Sequence, residues 1–145
     1  MSHANVDLVL KVQPDPDVDV AQAFRDDETW AAWVETNAPF MHPDCEFAFP
    51  GLLGGGKTYT GPEGMRAAWV DWLTAWTSYR VEVSEAIDCG ERVLTLYDAF
   101  AVPQGSTAEV KLSGADVWTV RDGKIAQWEG YGSQAKGRKV VGLER

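Results

Sequence analysis

Asp116 is the carboxyl group whose setting in the chain promises chemistry. It stands between Ala115 and Val117 in an otherwise apolar stretch, EVKLSGADVWTV, residues 109–120. A carboxylate in such surroundings is costly unless it is paired, hydrogen-bonded or neutralised. The same surroundings raise its pKa towards neutrality, where a carboxyl group serves as a general acid or base. The bland alternative is an aspartate satisfied by a hydrogen bond from Tyr97 or from an indole N–H, with a structural role. His42 is a second candidate, set before Pro43 in the segment HPDCE. Capping or a turn hydrogen bond competes there with acid–base work. Together with Asp44, Cys45 and Glu46 it superficially resembles a metal cluster. Successive residues of a strand point to opposite faces, and no second cluster supplies ligands, so no metal is expected. The Gly-rich run GLLGGGKTYT, residues 51–60, has no strand–loop–helix spacing and reads as a pocket rim rather than a phosphate loop. No cofactor is expected.

These residues need elements to hold them. Residues 6–12 (VDLVLKV) alternate like a short strand, and QPDPDVD then interrupts any regular element. Residues 1–18 therefore read as an arm, and 19–145 as one domain. From Ala21 to Ala38 the apolar spacing turns helical, through Phe24, Trp30, Trp33 and Val34, until Pro39 stops it. A break is expected near Asp26-Asp27, either of which could cap a new helix. Phe47 and Phe49 then point one way from a short strand. A second helix follows, with Thr60 and Glu63 spaced as a capping box and Pro62 in the first turn. Met65, Trp69, Trp72, Leu73 and Trp76 recur on its apolar face. The rest is strand: 79–88 and 92–102 around the turn Asp88-Cys89-Gly90-Glu91, then 109–120 and 124–131 around Asp122-Gly123, a strong hairpin signal. The tail forms a short helix ended by Gly142. Helices first and an antiparallel meander after them predict an α+β fold, with one sheet curled around the helices to bury the tryptophans.

Composition bounds the partners. At 145 residues the chain suits one domain, and 45% apolar residues can fill its core. The formal charge of −9 disfavours nucleic acid and anionic membrane surfaces. No apolar run is long enough to span a bilayer, and the first twenty residues lack the pattern of a signal peptide. Cys45 and Cys89 are the two cysteines, and their spacing suggests neither a disulfide framework nor a zinc site. A reducing, cytoplasmic setting follows as the expectation.

The segments GPEGMRAAWVDWLTAW, YRVEVSEAIDCGERV, VWTVRDGKIAQWEGY and the closing VVGL, in that order, resemble SnoaL-like (polyketide-cyclase-like) members of the nuclear transport factor 2-like superfamily. HPDCEF fits that family's first strand, and the resemblance covers roughly residues 27–143. It implies a cone-shaped, strongly curved antiparallel sheet around a long helix, a cystatin-like α+β barrel with one apolar pocket. By resemblance to the family's pocket-lining positions, Leu112, Gly114, Asp116, Trp118 and Val120 face inward from one strand, and Ala126, Trp128 and Gly130 from the next. Thr95 and Tyr97 would face in from the neighbouring strand and Asp98 out, unless a one-residue slip exchanges Tyr97 and Asp98.

The resemblance also implies a small-molecule site but not one reaction. Asp116 would shuttle a proton and Tyr97 would donate a hydrogen bond, with Trp69, Trp72, Trp118, Trp128, Phe47, Phe49, Leu112 and His42 around the ligand. Such an aromatic pocket suits a flat hydrophobic or aromatic molecule, in a cofactor-independent isomerase, cyclase or dehydratase acting on a carbonyl compound. Family cyclases and epoxide hydrolases carry an essential aspartate two residues after the tryptophan of the last strand. Here that position is Gly130, which argues against a hydrolase and leaves a non-catalytic binding or accessory protein as the alternative. The apolar outer set Leu94, Leu96 and Phe100 suggests a homodimer through the outer sheet face.

Overall fold

The computed structural model describes residues 3–50 and 57–143. Its frame is a six-stranded, curved and unclosed sheet with helices packed against it. The strands are β1 (Met41–Ala48), β2 (Thr58–Thr60), β3 (Trp76–Cys89), β4 (Arg92–Pro103), β5 (Val110–Arg121) and β6 (Lys124–Tyr131). They lie in the order β2-β1-β6-β5-β4-β3. The run β3–β6 is the expected antiparallel meander. Asp122 and Gly123 both take positive φ, 55° and 73°, the signature of a tight hairpin turn whose twist matches its strands. β1 joins the meander beside β6 and runs parallel to it, with Phe47 opposite Trp128.

Five α-helices accompany the sheet: α1 (His3–Lys11), α2 (Val20–Arg25), α3 (Asp27–Asn37), α4 (Gly61–Leu73) and α5 (Gln134–Val140). The break expected at Asp26-Asp27 is present. Asp26 closes α2 and caps α3, its carboxylate accepting from the Thr29 backbone N–H at 2.8 Å. Arg66 of α4 locks the break in place by donating to the Phe24 carbonyl at 2.9 Å and pairing with Asp27 at 2.7 Å. Asp19 caps α2 and also accepts from the Tyr79 backbone N–H of β3 at 3.0 Å, which ties the helices to the sheet.

Four expectations are corrected. Residues 6–11 lie in the helix α1, not in a strand: Val9, and Val12 in the turn just beyond the helix, are buried in the main core. Thr60 sits at the N-terminus of α4 but its side chain makes no capping bond. The helix ends at Leu73, so Trp76 belongs to β3 rather than to the helical stripe. Leu94 and Leu96 do lie on the outer face, yet the chain covers them itself. They form a second core with Ala115, Val117 and Tyr131, against which Val140 and Val141 of the C-terminal segment pack. A Cβ on Gly137 would overlap the Ala115 side chain, so glycine lets α5 sit directly on β5. Phe100, the third member of that set, lies under the Arg80 guanidinium.

The rim expected at residues 51–60 lies largely outside the described residues. Gly51 to Thr58 does carry the residue order of a phosphate loop, but Thr58 opens the strand β2, and that motif requires a helix there.

Candidate functional site

The sheet's concave face and the helices enclose a cavity of about 420 Å³. Alternation along the strands delivers its sheet wall: Tyr79 and Val81 from β3, Tyr97 from β4, Asp116 and Trp118 from β5, Trp128 and Gly130 from β6. Helix α4 adds Met65, Trp69 and Trp72, α2 adds Phe24, and α3 adds Trp30, Trp33 and Asn37. The segment that follows α1 closes the rim with Val12, Gln13, Pro14 and Val18. Exposed Val18, Thr29 and Thr36 mark the open side, while Asp116, Trp118 and Trp128 lie at the buried end.

The buried end is built from stacked indoles. Trp128 lies between Trp69, 5.5 Å away at 14°, and Trp118, 5.4 Å away at 23°. Phe49 meets both Trp69 and Trp128 edge-on. The Trp118 indole N–H is satisfied, donating to Thr95 Oγ1 at 2.9 Å. The indole nitrogens of Trp30, Trp69, Trp76 and Trp128 are buried with no hydrogen-bond partner among the described residues. Three of those four rings line the cavity.

Asp116 is the one carboxyl in this wall, and no lysine, arginine or histidine lines it among the described residues. Burial therefore goes uncompensated and lifts the Asp116 pKa to about 8. The neighbouring Trp128 indole N–H draws it back down without reaching the geometry of a full hydrogen bond. Tyr97 is pushed far above the phenolic range by burial, then by the Asp116 carboxylate and by Tyr79. Burial, opposed by a bond from Trp72 and helped by Asp116, lifts Tyr79 to about 12. At neutral pH the wall thus offers two phenol groups and a largely neutral carboxylic acid, with a minor carboxylate fraction available for proton transfer.

Two glycines make room for this arrangement. A Cβ on Gly114 would collide with the Tyr97 ring and hydroxyl, so the phenol lies over that glycine. Gly130 pairs with Asp116 across the β5–β6 ladder, and a Cβ there would fall 2.7 Å from Phe49 Cδ1 and 3.3 Å from Asp116 Oδ1.

Of the residues singled out in the sequence, Asp116, Tyr97, Trp69, Trp72, Trp118, Trp128 and Phe49 come together around the cavity. Tyr97 faces it and Asp98 does not; Asp98 accepts from Ser113 Oγ at 3.0 Å and lies 3.9 Å from Lys111. Three residues stand elsewhere. Phe47 is wholly buried, edge-on to Trp128, and fills core behind it. Leu112 shares the Asp116 face but lies opposite Ala99, beyond Gly114, and packs into the main core. His42 donates from Nε2 to the Arg121 carbonyl at 2.9 Å, the turn-bracing role weighed against acid–base work. Sequence reasoning missed the rim from residues 12–18, which carries no periodic signal. It also missed Tyr79, although alternation in YRVEV pairs Tyr79 with Val81 on one face.

Residues 19–128 match the model of the SnoaL-like domain family. The chain belongs to the SnoaL-like family. Its fold is shared with solved structures across nearly their whole length. TerC, co-crystallised with polyporic acid, is similar at a TM-score of 0.65 and 23% identity, over 96% of this chain and 98% of that one. Bal32a, from a soil-derived mobile gene cassette, gives 0.66 and 12%, over 99% and 98%. A protein described as a SnoaL-like polyketide cyclase, from Jannaschia sp. CCS1, gives 0.64 and 15%, over 98% and 94%. No curated protein matches the chain in sequence. Among the described residues of this SnoaL-like chain, no cluster of three or more His, Cys, Asp and Glu could hold a metal, and no helix is long and apolar enough to cross a membrane.

Proposed function

We propose that the cavity takes a flat, hydrophobic carbonyl compound and that Asp116 moves a proton on it, in a cofactor-independent isomerisation, cyclisation or dehydration. The observation that carries this reading is a lone carboxyl at the buried end of an aromatic cavity, its pKa raised by burial to about 8. A carboxyl tuned to neutrality supports both directions of transfer: the acid form gives a proton, the carboxylate takes one. Tyr97, neutral at any working pH, would donate a hydrogen bond to the oxygen on which charge develops. A ligand of the size of two or three fused rings is in keeping with a cavity of about 420 Å³. The polyporic acid held by the similar TerC structure supports a small-molecule ligand.

The test is direct titration of the Asp116 carboxyl by carbon NMR. A midpoint within about a unit of 8 is expected; one near the ordinary aspartate value of roughly 4 overturns the proton-transfer role. Asp116→Asn should then keep ligand affinity and lose turnover.

A second reading is a binding protein without chemistry. Gly130, standing where family cyclases and epoxide hydrolases carry an aspartate, favours it. Native mass spectrometry of protein from its own source separates the two: a retained compound recovered unchanged after incubation supports simple binding, and a converted one supports catalysis.

A further inference from the structure

Asn37 ends α3 and precedes the short 3-10 turn Ala38–Phe40, a place where an asparagine oxygen ordinarily caps the turn that follows. It makes no capping bond there. Its amide is turned the other way, with Nδ2 donating to the Trp33 carbonyl at 3.0 Å. A carbonyl only accepts, so this bond fixes which end of the amide faces the helix and leaves Oδ1 directed off it. Asn37 is 7% exposed and lines the cavity. The side-chain nitrogen and oxygen atoms that are both sealed and unpartnered among the described residues are four indole nitrogens, and Asn37 Oδ1 is not one of them. That oxygen therefore opens on the space its residue lines, as an acceptor that no group of the chain fills.

Its surroundings offer the same chemistry. The Lys11 ammonium lies 4.9 Å over the Phe40 ring, which brings the end of α1 to the end of α3. There Gln13, also a wall residue, repeats the arrangement, its Nε2 donating to the Val9 carbonyl at 3.1 Å. Further along α3 the Thr29 hydroxyl donates to the Asp26 carboxylate at 2.6 Å. The helical wall thus presents oxygens, and no lysine, arginine or histidine among the described residues adds a donor to it. The sheet wall is its complement, because Tyr97 and the largely neutral Asp116 present O–H groups. The two walls meet different ends of β6. The turn Ala38–Phe40 packs on it near Ile125, which pairs with Met41, whereas Asp116 faces Gly130.

We propose that Asn37 Oδ1 is a second anchor of the cavity, accepting a hydrogen bond from a hydroxyl that the ligand carries at the end remote from its carbonyl. This rests on the reading of the cavity as the site of a carbonyl compound, and it narrows that class to hydroxylated ketones. With the carbonyl oxygen at Tyr97 and the hydroxyl at Asn37, the ring system lies lengthwise between the two walls. The reverse placement sets the ligand's carbonyl against the Asn37 oxygen, acceptor on acceptor, so the pair of anchors selects one orientation. A skeleton without the hydroxyl expels water from Asn37 and returns no donor to it, and that unpaired acceptor lowers its affinity.

A matched set of probes isolates the hydroxyl proton. 4-Acetylbiphenyl and its 4′-hydroxy and 4′-methoxy derivatives share a carbonyl at one end and differ at the other: no oxygen, a donor, and an oxygen without a proton. Calorimetric titration should show the hydroxy compound binding about tenfold more tightly than either of the others, the size of one well-made neutral hydrogen bond. Asn37→Leu should erase that preference and leave the affinity for 4-acetylbiphenyl within about threefold. In carbon NMR spectra of the unmodified protein the Asn37 side-chain carbonyl signal should move with the hydroxy compound and hold with the methoxy one, and this decides if Asn37→Leu does not fold. Equal affinities for the hydroxy and methoxy compounds, an unmoved Asn37 signal, or a preference that survives Asn37→Leu would overturn the proposal. Failure of all three probes to bind would remove the carbonyl site and this anchor with it. A hydroxyl preference kept alongside an ordinary Asp116 titration would sink the proton transfer and leave the anchor standing.

Discussion

Gly130 faces Asp116 directly across the β5–β6 ladder, and the space its missing side chain leaves is taken by the Phe49 ring. The carboxyl therefore has an aromatic edge for a neighbour where a second carboxylate could otherwise stand. Gly130→Asp is expected to destabilise the fold rather than install a working pair of acids. Overpacking against Phe49 and a second buried charge beside Asp116 each cost on the order of 1–3 kcal/mol. Thermal unfolding checks this: a Tm fall of several degrees is expected, and an unchanged Tm with water-activating hydrolysis would refute it.

Asp116 links stability to pH with a definite sign. Its folded pKa, about 8, lies above its ordinary value of 3.8, so the folded state holds the proton more tightly. That contribution is complete below about pH 4 and is lost as pH rises through 8. Asp116→Asn should accordingly raise the Tm at pH 9, by about 3 °C or more, and have a much smaller effect at pH 5. Equal effects at the two pH values would show that the carboxyl is not held neutral.

The Thr95–Trp118 bond is the satisfied polar contact at the buried end. Thr95→Val keeps the shape and strands the indole N–H, and should cost about 1–2 kcal/mol in a denaturant titration. Adding Trp118→Phe should make the Thr95→Val step nearly neutral in that background. Additive losses would mean the pair does not interact.

Helix α5 shields apolar sheet. Truncation after Ser133 should expose Leu94, Leu96 and Val117, raise binding of a hydrophobic dye and promote self-association in light scattering. A truncated protein that stays monomeric and dye-silent would show that this face needs no cover.

Much of this was legible in the chain. Alternation and Asp-Gly marked the β5–β6 hairpin, and the family resemblance put Asp116, Trp118 and Trp128 on its inner face. Carboxylate capping marked Asp26-Asp27, and the structure selects Asp26 as the cap. The misreadings share a cause, which is that tertiary packing chose between patterns of equal local merit. VDLVLKV satisfies both a two-residue and a three-residue period, and burial of Val9 and Val12 selected the helix. Leu94 and Leu96 were readable as an outward apolar pair, but nothing local says that residues forty positions later will cover them. Phe47 and Phe49 have the same parity, and only the three-dimensional stack of Trp128 and Trp69 puts one behind the cavity wall and one in it.

The parallel seam between β1 and β6 has a consequence in time. It joins residues 41–48 to residues 125–129, so it closes a loop of some eighty residues, whereas each hairpin of β3–β6 closes a short one. Chain entropy makes the distant pairing the slow one. Pulsed hydrogen exchange during refolding should protect amides of β4 and β5 before those of β1. The hollow that holds Asp116 would then be assembled last, after the meander already exists, and a partly made chain emerging from the ribosome would carry its tryptophans without yet having a place to bind anything.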